Sequence, residues 1–281
     1  MALDLAILGQ PGTRYCFDYR WQDAALYALG VGAKRGELDF LYEGRGPRVL
    51  PSFVAAANYP ALGEAIDRLG ANKEMLVHGG QKMVFHRALP PAGRLHSTST
   101  VRAVHDLKRL AQMVVDIETH DEGGALVAVA TASIILRGEG GFGGEPPPKE
   151  PAGAAVPKDR APDFVVEEGT SPEQALLFRL SGDLNPLHAD PSFAAAVGFA
   201  QGPILHGLAT YGFVVRHVVR GACGGDEARL HVIDGQFRKP VWPGDTIVTS
   251  GWEVEPGLWA LQVKVKERDE SVITSAWARL R

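Results

Sequence analysis

Between Gly138 and Pro162 the chain reads GEGGFGGEPPPKEPAGAAVPKDRAP, a run that neither helix nor strand can cross. Gly must surrender the most backbone freedom to enter a regular element, and Pro lacks the N–H that either ladder requires. The 281-residue chain is therefore cut near its middle. We read 138–162 as a linker between a first domain, 1–137, and a second, 163–281. Gly138, Gly140 and Gly143 spell G-x-G-x-x-G, but a dinucleotide fingerprint must open a helix. Pro146, Pro147 and Pro148 follow too soon for that.

The two halves share a pattern. The first runs FHRALPPAGRLHSTSTVRAV, LAQMVVDIETHD and ALVAVATASIILR; the second runs QFRKPVWPGDTIVTSGWEVE, LWALQVKVKER and SVITSAWARLR. In each, a Pro-rich bend with a Gly precedes β-rich stretches joined by polar turns, Asp121-Glu122-Gly123-Gly124 and Arg268-Asp269-Glu270. One antiparallel module used twice is the expectation. In the second half, Ser171-Pro172-Glu173-Gln174 carries the capping-box signature and predicts a short helix over 172–180. GLATYGFVVRHVVR is apolar on nearly all sides and predicts a buried helix from about His206 to Arg220, with Arg216 and Arg220 on one face. The fold class is thus α+β, with a helix wrapped by an antiparallel sheet.

Composition narrows the function. Net charge is −4 with no basic run, which gives nucleic acid no electrostatic footprint. No stretch approaches the roughly 20 apolar residues of a membrane span. Cys16 and Cys223 match no metal or redox spacing and read as free thiols. Met1 to Gln10 has no secretory signal character, so the cytoplasm is the expected compartment.

Chemistry concentrates in SGDLNPLHADPSFAAAVGFAQGPILHG. Asp183 and His188 are five residues apart, which on a helix would separate them; Gly182 and Asn185-Pro186 argue for a tight turn instead. Such a turn can aim a carboxylate and an imidazole at one water, an acid–base pair. Pro203-Ile204-Leu205-His206-Gly207 leads into the buried helix, whose first N–H groups are unused and electropositive. A thioester oxygen could rest on Gly207 N–H. By residue chemistry alone two other readings stand: Asp183 capping a turn beside a structural His188, or a metal held by Asp183, His188 and His206. No H-E-x-x-H, H-x-H or C-x-x-C spacing supports the metal.

FRLSGDLNPLHADPSFAAAVGF and PILHGLATYGF closely resemble the hydratase-2 motif of the MaoC-like dehydratases, a family that includes the (R)-specific enoyl-CoA hydratases. VHGGQKMVFHRALPPAGRL resembles the family's His-Gly-x-Gln segment, GEGGFGG its glycine-rich linker, and FRKPVWPGDT its Pro-x-x-Pro-Gly turn. The resemblance implies two fused hot-dog domains and reversible syn hydration of trans-2-enoyl-CoA to the (R)-3-hydroxyacyl-CoA by a hydro-lyase. It implies Asp183 and His188 as the dyad holding the water, Gly207 as the oxyanion donor, and Asn185 as a shaper of the loop. His78, Gly79, Lys108 and Phe237 fall at or near positions that contact the CoA ester. No metal or organic cofactor is implied; acyl-CoA is the partner, and a homodimer the assembly. The sequence departs from the pattern at Phe178, where relatives often carry Tyr.

The first half has no Asp-x-Asn-Pro-x-His loop, so one catalytic site per chain is expected, with the first half forming an acyl-tail pocket around Phe53-Val54-Ala55-Ala56-Ala57. A first half that had lost helix bulk would favour long chains. The alternatives are an acyl-CoA thioesterase on the same scaffold and a non-catalytic acyl-CoA binder or dehydratase subunit.

Overall fold

The structure is a computed structural model that describes residues 3–148 and 153–281. Four of the linker residues, 149–152, lie outside the described residues.

Among the described residues, ten strands form one antiparallel sheet. In chain order they are β1 (Pro11–Tyr19), β2 (Leu76–Phe85), β3 (Gly93–Asp106), β4 (Leu110–Asp121), β5 (Leu126–Arg137), β6 (Phe164–Gly169), β7 (Leu230–Phe237), β8 (Thr246–Glu255), β9 (Leu258–Val265) and β10 (Glu270–Leu280). Their order across the sheet is β1-β3-β4-β5-β2-β7-β10-β9-β8-β6. Read outward from the β2–β7 seam in both directions, the second half reproduces the first strand for strand. The repeat read from the sequence is therefore a repeat of topology. At the seam Gly80 faces Gln236 and Val84 faces Val232, so the halves share backbone hydrogen bonds.

Each half wraps its strands around one long helix: α2 (Val54–Leu69) in the first and α5 (Gly207–Gly221) in the second. α2 packs on β1, β3 and β4, and α5 on β6, β7 and β8. Strand alternation supplies the core face: Ala128, Ala130, Ala132, Ile134 and Leu136 of β5 are all buried. The small residues among them, with Ala55 and Ala57 on α2, allow helix and sheet to approach closely.

α5 begins one residue after the predicted start and ends one after the predicted end. The helix expected over 172–180 is shorter. α3 runs Gln174–Phe178, then tightens into a 3₁₀ turn, Arg179–Ser181. The start shifts because Ser171 Oγ accepts from Glu173 N, so the turn before the helix consumes the capping group. Gln174 instead reaches across to the first half: its Nε2 donates to the carbonyls of Leu29 and Gly30 at the end of α1 (Trp21–Gly30).

The glycine-rich segment has a specific partner. Gly141 N and Gly143 N donate to the Asp106 carboxylate at 2.9 and 2.8 Å, joined by Lys108 N at 2.7 Å. These amides form the anion-binding concavity that such sequences favour, and the chain's own Asp106 occupies it. Those bonds, with Gly141 N the largest influence, hold the Asp106 carboxyl below its usual range. A side chain at Gly140 would lie 2.4 Å from Leu110 O, so the close approach requires Gly there.

Candidate active site

Asn185 begins the local order of the loop. Its side chain accepts from Leu187 N and caps the 3₁₀ turn Pro186–His188, with Pro186 at the first position where no donor is needed. Gly182, just before the loop, has φ +127°, a conformation that disfavours any side chain. The result folds His188 back towards Asp183. A carboxylate oxygen of Asp183 and ring nitrogens of His188 and His206 lie within 4.8 Å of one another.

Hydrogen-bond chemistry sets the tautomers. His188 Nδ1 lies 2.8 Å from Ile204 O; a carbonyl only accepts, so Nδ1 carries the proton and Nε2 keeps its lone pair. His206 Nε2 donates to Asp183 O at 3.1 Å, which leaves His206 Nδ1 bare, buried and unpartnered among the described residues. Burial lowers the His188 pKa from its ordinary value, against the opposing charge of Asp183. Burial, helped by neighbouring His188, brings His206 down to about 3. Both rings are therefore neutral at neutral pH, and His188 is poised to accept a proton.

The two imidazoles stack at 3.7 Å between centroids, 27° apart in plane. Imidazole lone pairs lie in the ring plane, so nearly parallel stacked rings do not converge on one ion. The geometry thus weighs against a shared metal, although the residue types alone would suit one.

Asp183 is held from the opposite half of the chain. Tyr59 Oη, on α2, donates to Asp183 Oδ1 at 2.5 Å, and Asn185 N donates to the same oxygen at 3.1 Å. Among the described residues Oδ2 accepts no hydrogen bond. Burial first, and then the Asp183 charge, push the Tyr59 hydroxyl far above its ordinary range, so it remains a donor. Sequence reasoning missed Tyr59, because no spacing rule links residues 124 apart.

Gly207 is the first residue of α5, where the helix itself leaves the N–H unused. A side chain there would meet the Phe237 ring at 3.6 Å, an ordinary contact. Protein packing therefore does not demand glycine at this position. Phe237 stacks edge-on with His78 at 5.2 Å, which gathers Gly207, Phe237, His78 and its neighbour Gly79 around the seam. Burial lowers His78 to about 4. Lys108 stands apart, exposed at the tip of the β3–β4 turn. By register that turn shares an end of the sheet with His78 and Phe237, but no bond joins Lys108 to the dyad. Phe178 faces His206 at 4.9 Å and Tyr27 at 5.9 Å, so the position without a hydroxyl is filled by ring packing.

A cleft of about 460 Å³ opens beside His188, lined also by Ala189, Gln201, Pro203, Trp242 and Arg268. Cys16 is exposed and Cys223 buried, and both are free thiols away from this site. No helix among the described residues is long and apolar enough to cross a membrane.

Comparison with known proteins matches both halves. Residues 17–138 match the MFE-2 hydratase 2 N-terminal domain, and residues 154–276 the MaoC like domain. The chain is 36% identical to the peroxisomal enoyl-CoA hydratase 2 of Arabidopsis thaliana, covering 94% of this chain and 90% of that one. It is 38% identical to 3-hydroxyacyl-thioester dehydratase Y of Mycobacterium tuberculosis, covering 96% and 94%. The crystal structure of a MaoC-like dehydratase from Phytophthora capsici superposes with a TM-score of 0.86 at 33% identity, covering 98% and 96%. The fold is the double hot-dog, and the chain belongs to the enoyl-CoA hydratase 2 family of MaoC-like hydro-lyases.

Proposed function

We propose that this enzyme catalyses reversible syn addition of water to trans-2-enoyl-CoA, giving the (R)-3-hydroxyacyl-CoA. The observation that carries the reading is the gathering, within 4.8 Å, of an Asp183 carboxylate oxygen and a ring nitrogen of the buried, neutral His188, on a loop closed by α5, the helix that starts at Gly207.

Water held by Asp183 and His188 attacks C3 of the enoyl group and yields one proton to the dyad. The C2=C3 electron pair shifts towards the thioester, whose oxygen becomes an enolate resting on Gly207 N–H. The dyad then delivers a proton to C2 on the face from which water arrived. Atoms balance without any further reactant, and the dyad is restored. Asp183 and His188 act as a coupled pair, so the proton belongs to both. Asn185 keeps the loop in register, while His78, Gly79, Phe237 and Lys108 border the path of the CoA ester along one end of the sheet.

We assign the chemistry to the second half and the acyl pocket to the first, with the linker between them. The assembly is a homodimer, which light scattering would report as about twice the chain mass. The compartment is the cytoplasm, although the Arabidopsis relative is named peroxisomal. The test is an assay with trans-2-enoyl-CoA and chiral analysis of the product. An (R)-3-hydroxyacyl-CoA is expected. Release of free CoA would mean attack at C1 and a thioesterase. Loss of neither substrate would leave an acyl-CoA binder.

A further inference from the structure

Three features meet at Tyr59. Its hydroxyl is bonded to Asp183. Its side chain and Leu208, the residue after Gly207, border the same small cavity beneath α2. Pro60 follows it inside α2 and cannot donate to Ala56 O, so the helix is weakened at this point.

The proposed reaction fixes the direction of the acyl tail. With the thioester oxygen at Gly207 N–H and C3 at the dyad, a trans-enoyl chain continues from C4 away from α5 and towards α2. Tyr59 borders that path, since its hydroxyl rests on Asp183 and its side chain shares a cavity with Leu208, the residue after Gly207. The cavity that Tyr59 lines between α2 and the sheet holds about 10 Å³, room for about one water. The far wall is also polar. Asn58 and Gln81 border the cavity and are both buried. Asn58 Oδ1 accepts from Ser97 and Thr119 hydroxyls, while its Nδ2 has no partner among the described residues. An alkyl tail driven there would desolvate amides without replacing their hydrogen bonds.

Resting on the hydratase reading, we infer that Tyr59 is the specificity-determining residue that closes the acyl pocket to long chains. Its bond to Asp183 holds it in the closed position, so a long tail must both displace the ring and break that bond. The full helix α2, 16 residues long, leaves no opening of the kind that a shortened helix would provide. The enzyme is accordingly selective for short enoyl groups.

The experiment measures kcat/KM for crotonyl-CoA and trans-2-decenoyl-CoA on each of three proteins: wild type, Tyr59→Phe and Tyr59→Ala. Wild type is expected to favour crotonyl-CoA. Tyr59→Ala should raise the decenoyl-to-crotonyl ratio by about 10-fold or more, because removing the ring opens room for the tail at the point where it is blocked. Tyr59→Phe keeps the ring, so its ratio should stay nearer that of wild type while kcat falls through loss of the bond to Asp183. The ratio is taken within one preparation, so partial misfolding cancels. If Tyr59→Ala does not fold, Tyr59→Leu takes its place. A wild type that handles decenoyl-CoA as well as crotonyl-CoA, or an unchanged ratio in the alanine or leucine variant, overturns the proposal. Failure of wild type to hydrate either substrate overturns instead the hydratase reading beneath it.

Discussion

Arg216 and Glu168 form an ion pair in the interior: Nη2 of the first lies 2.5 Å from Oε1 of the second, with the Arg216 side chain wholly buried. Arg216 also reaches Glu37 of the first half at 2.6 Å and donates to Val31 O at 3.1 Å. Lys34 shares Glu168 Oε1 with Arg216, while Arg220 and His217 lie at Oε2. Removing Glu168 leaves the buried guanidinium with Glu37 but takes away its second carboxylate, and no solvent can replace it. Glu168→Gln should therefore lower unfolding stability by about 3–5 kcal/mol, read from urea titration.

The same pair has a pH signature. Burial acts to raise the Glu168 pKa, but hydrogen bonding to His217 and the charge of Arg216 outweigh it and hold the group at about 2. A folded-state pKa depressed below 4.5 adds stability at higher pH, and that contribution is lost as pH falls from about 4.5 towards 2. The stability gap between wild type and Glu168→Gln should be full at neutral pH and close across that window. A constant gap in melting temperature from neutral pH to pH 2 would contradict the assignment.

For the dyad, Asp183→Asn and His188→Ala should each lower kcat by at least roughly 10²-fold, with near-normal melting temperatures. Normal turnover in either variant would remove that residue from the mechanism.

Because burial lowers the His188 pKa, the base remains neutral below pH 6.5. Hydration measured as kcat/KM should hold flat through that value and fall only at lower pH, as His188 gains its proton. A fall already centred at or above 6.5 would show that His188 is not the group that must be neutral.

Much of this was legible in the sequence, and the reasons differ by residue. The duplicated sheet showed through Pro-rich bends and polar turns, which are local. α5 showed through its apolar run. α2 escaped notice because its N-cap, Phe53, makes no side-chain cap bond and Pro60 interrupts its middle. Arg216 and Arg220 were visible as a pair on one face, yet their shared partner, Glu168, comes from β6, and Glu37 comes from the other half. The loop from Asp183 to His188 was readable from Gly182, Asn185 and Pro186. Tyr59 was not, since a hydrogen bond across 124 residues leaves no trace in spacing.

The stacked arrangement of His188 and His206 leads to an expectation about metals. Prolonged chelation should leave activity unchanged. Activity lost to chelator and regained with zinc would require the two rings to unstack and would replace the acid–base reading.

Asp106 anchors the glycine-rich segment through the amides of residues 141 and 143. Asp106→Ala should free the segment, and limited proteolysis should cut there at least several-fold faster than in wild type. Equal cleavage rates would mean that the neighbouring Glu139 bond to Asn72 N suffices to hold it.

The β2–β7 seam bears on how the chain is made. Val84 pairs with Val232, so the partner of β2 leaves the ribosome long after β2 itself. Throughout that interval the nascent first half carries a naked strand edge, a template on which another nascent chain can dock. Joining such distant segments is also intrinsically slow. Synthesis thus passes through a stage that is prone to cross-pairing between chains on neighbouring ribosomes. The hazard ends when β7 emerges and takes the place that a stranger's strand would otherwise fill.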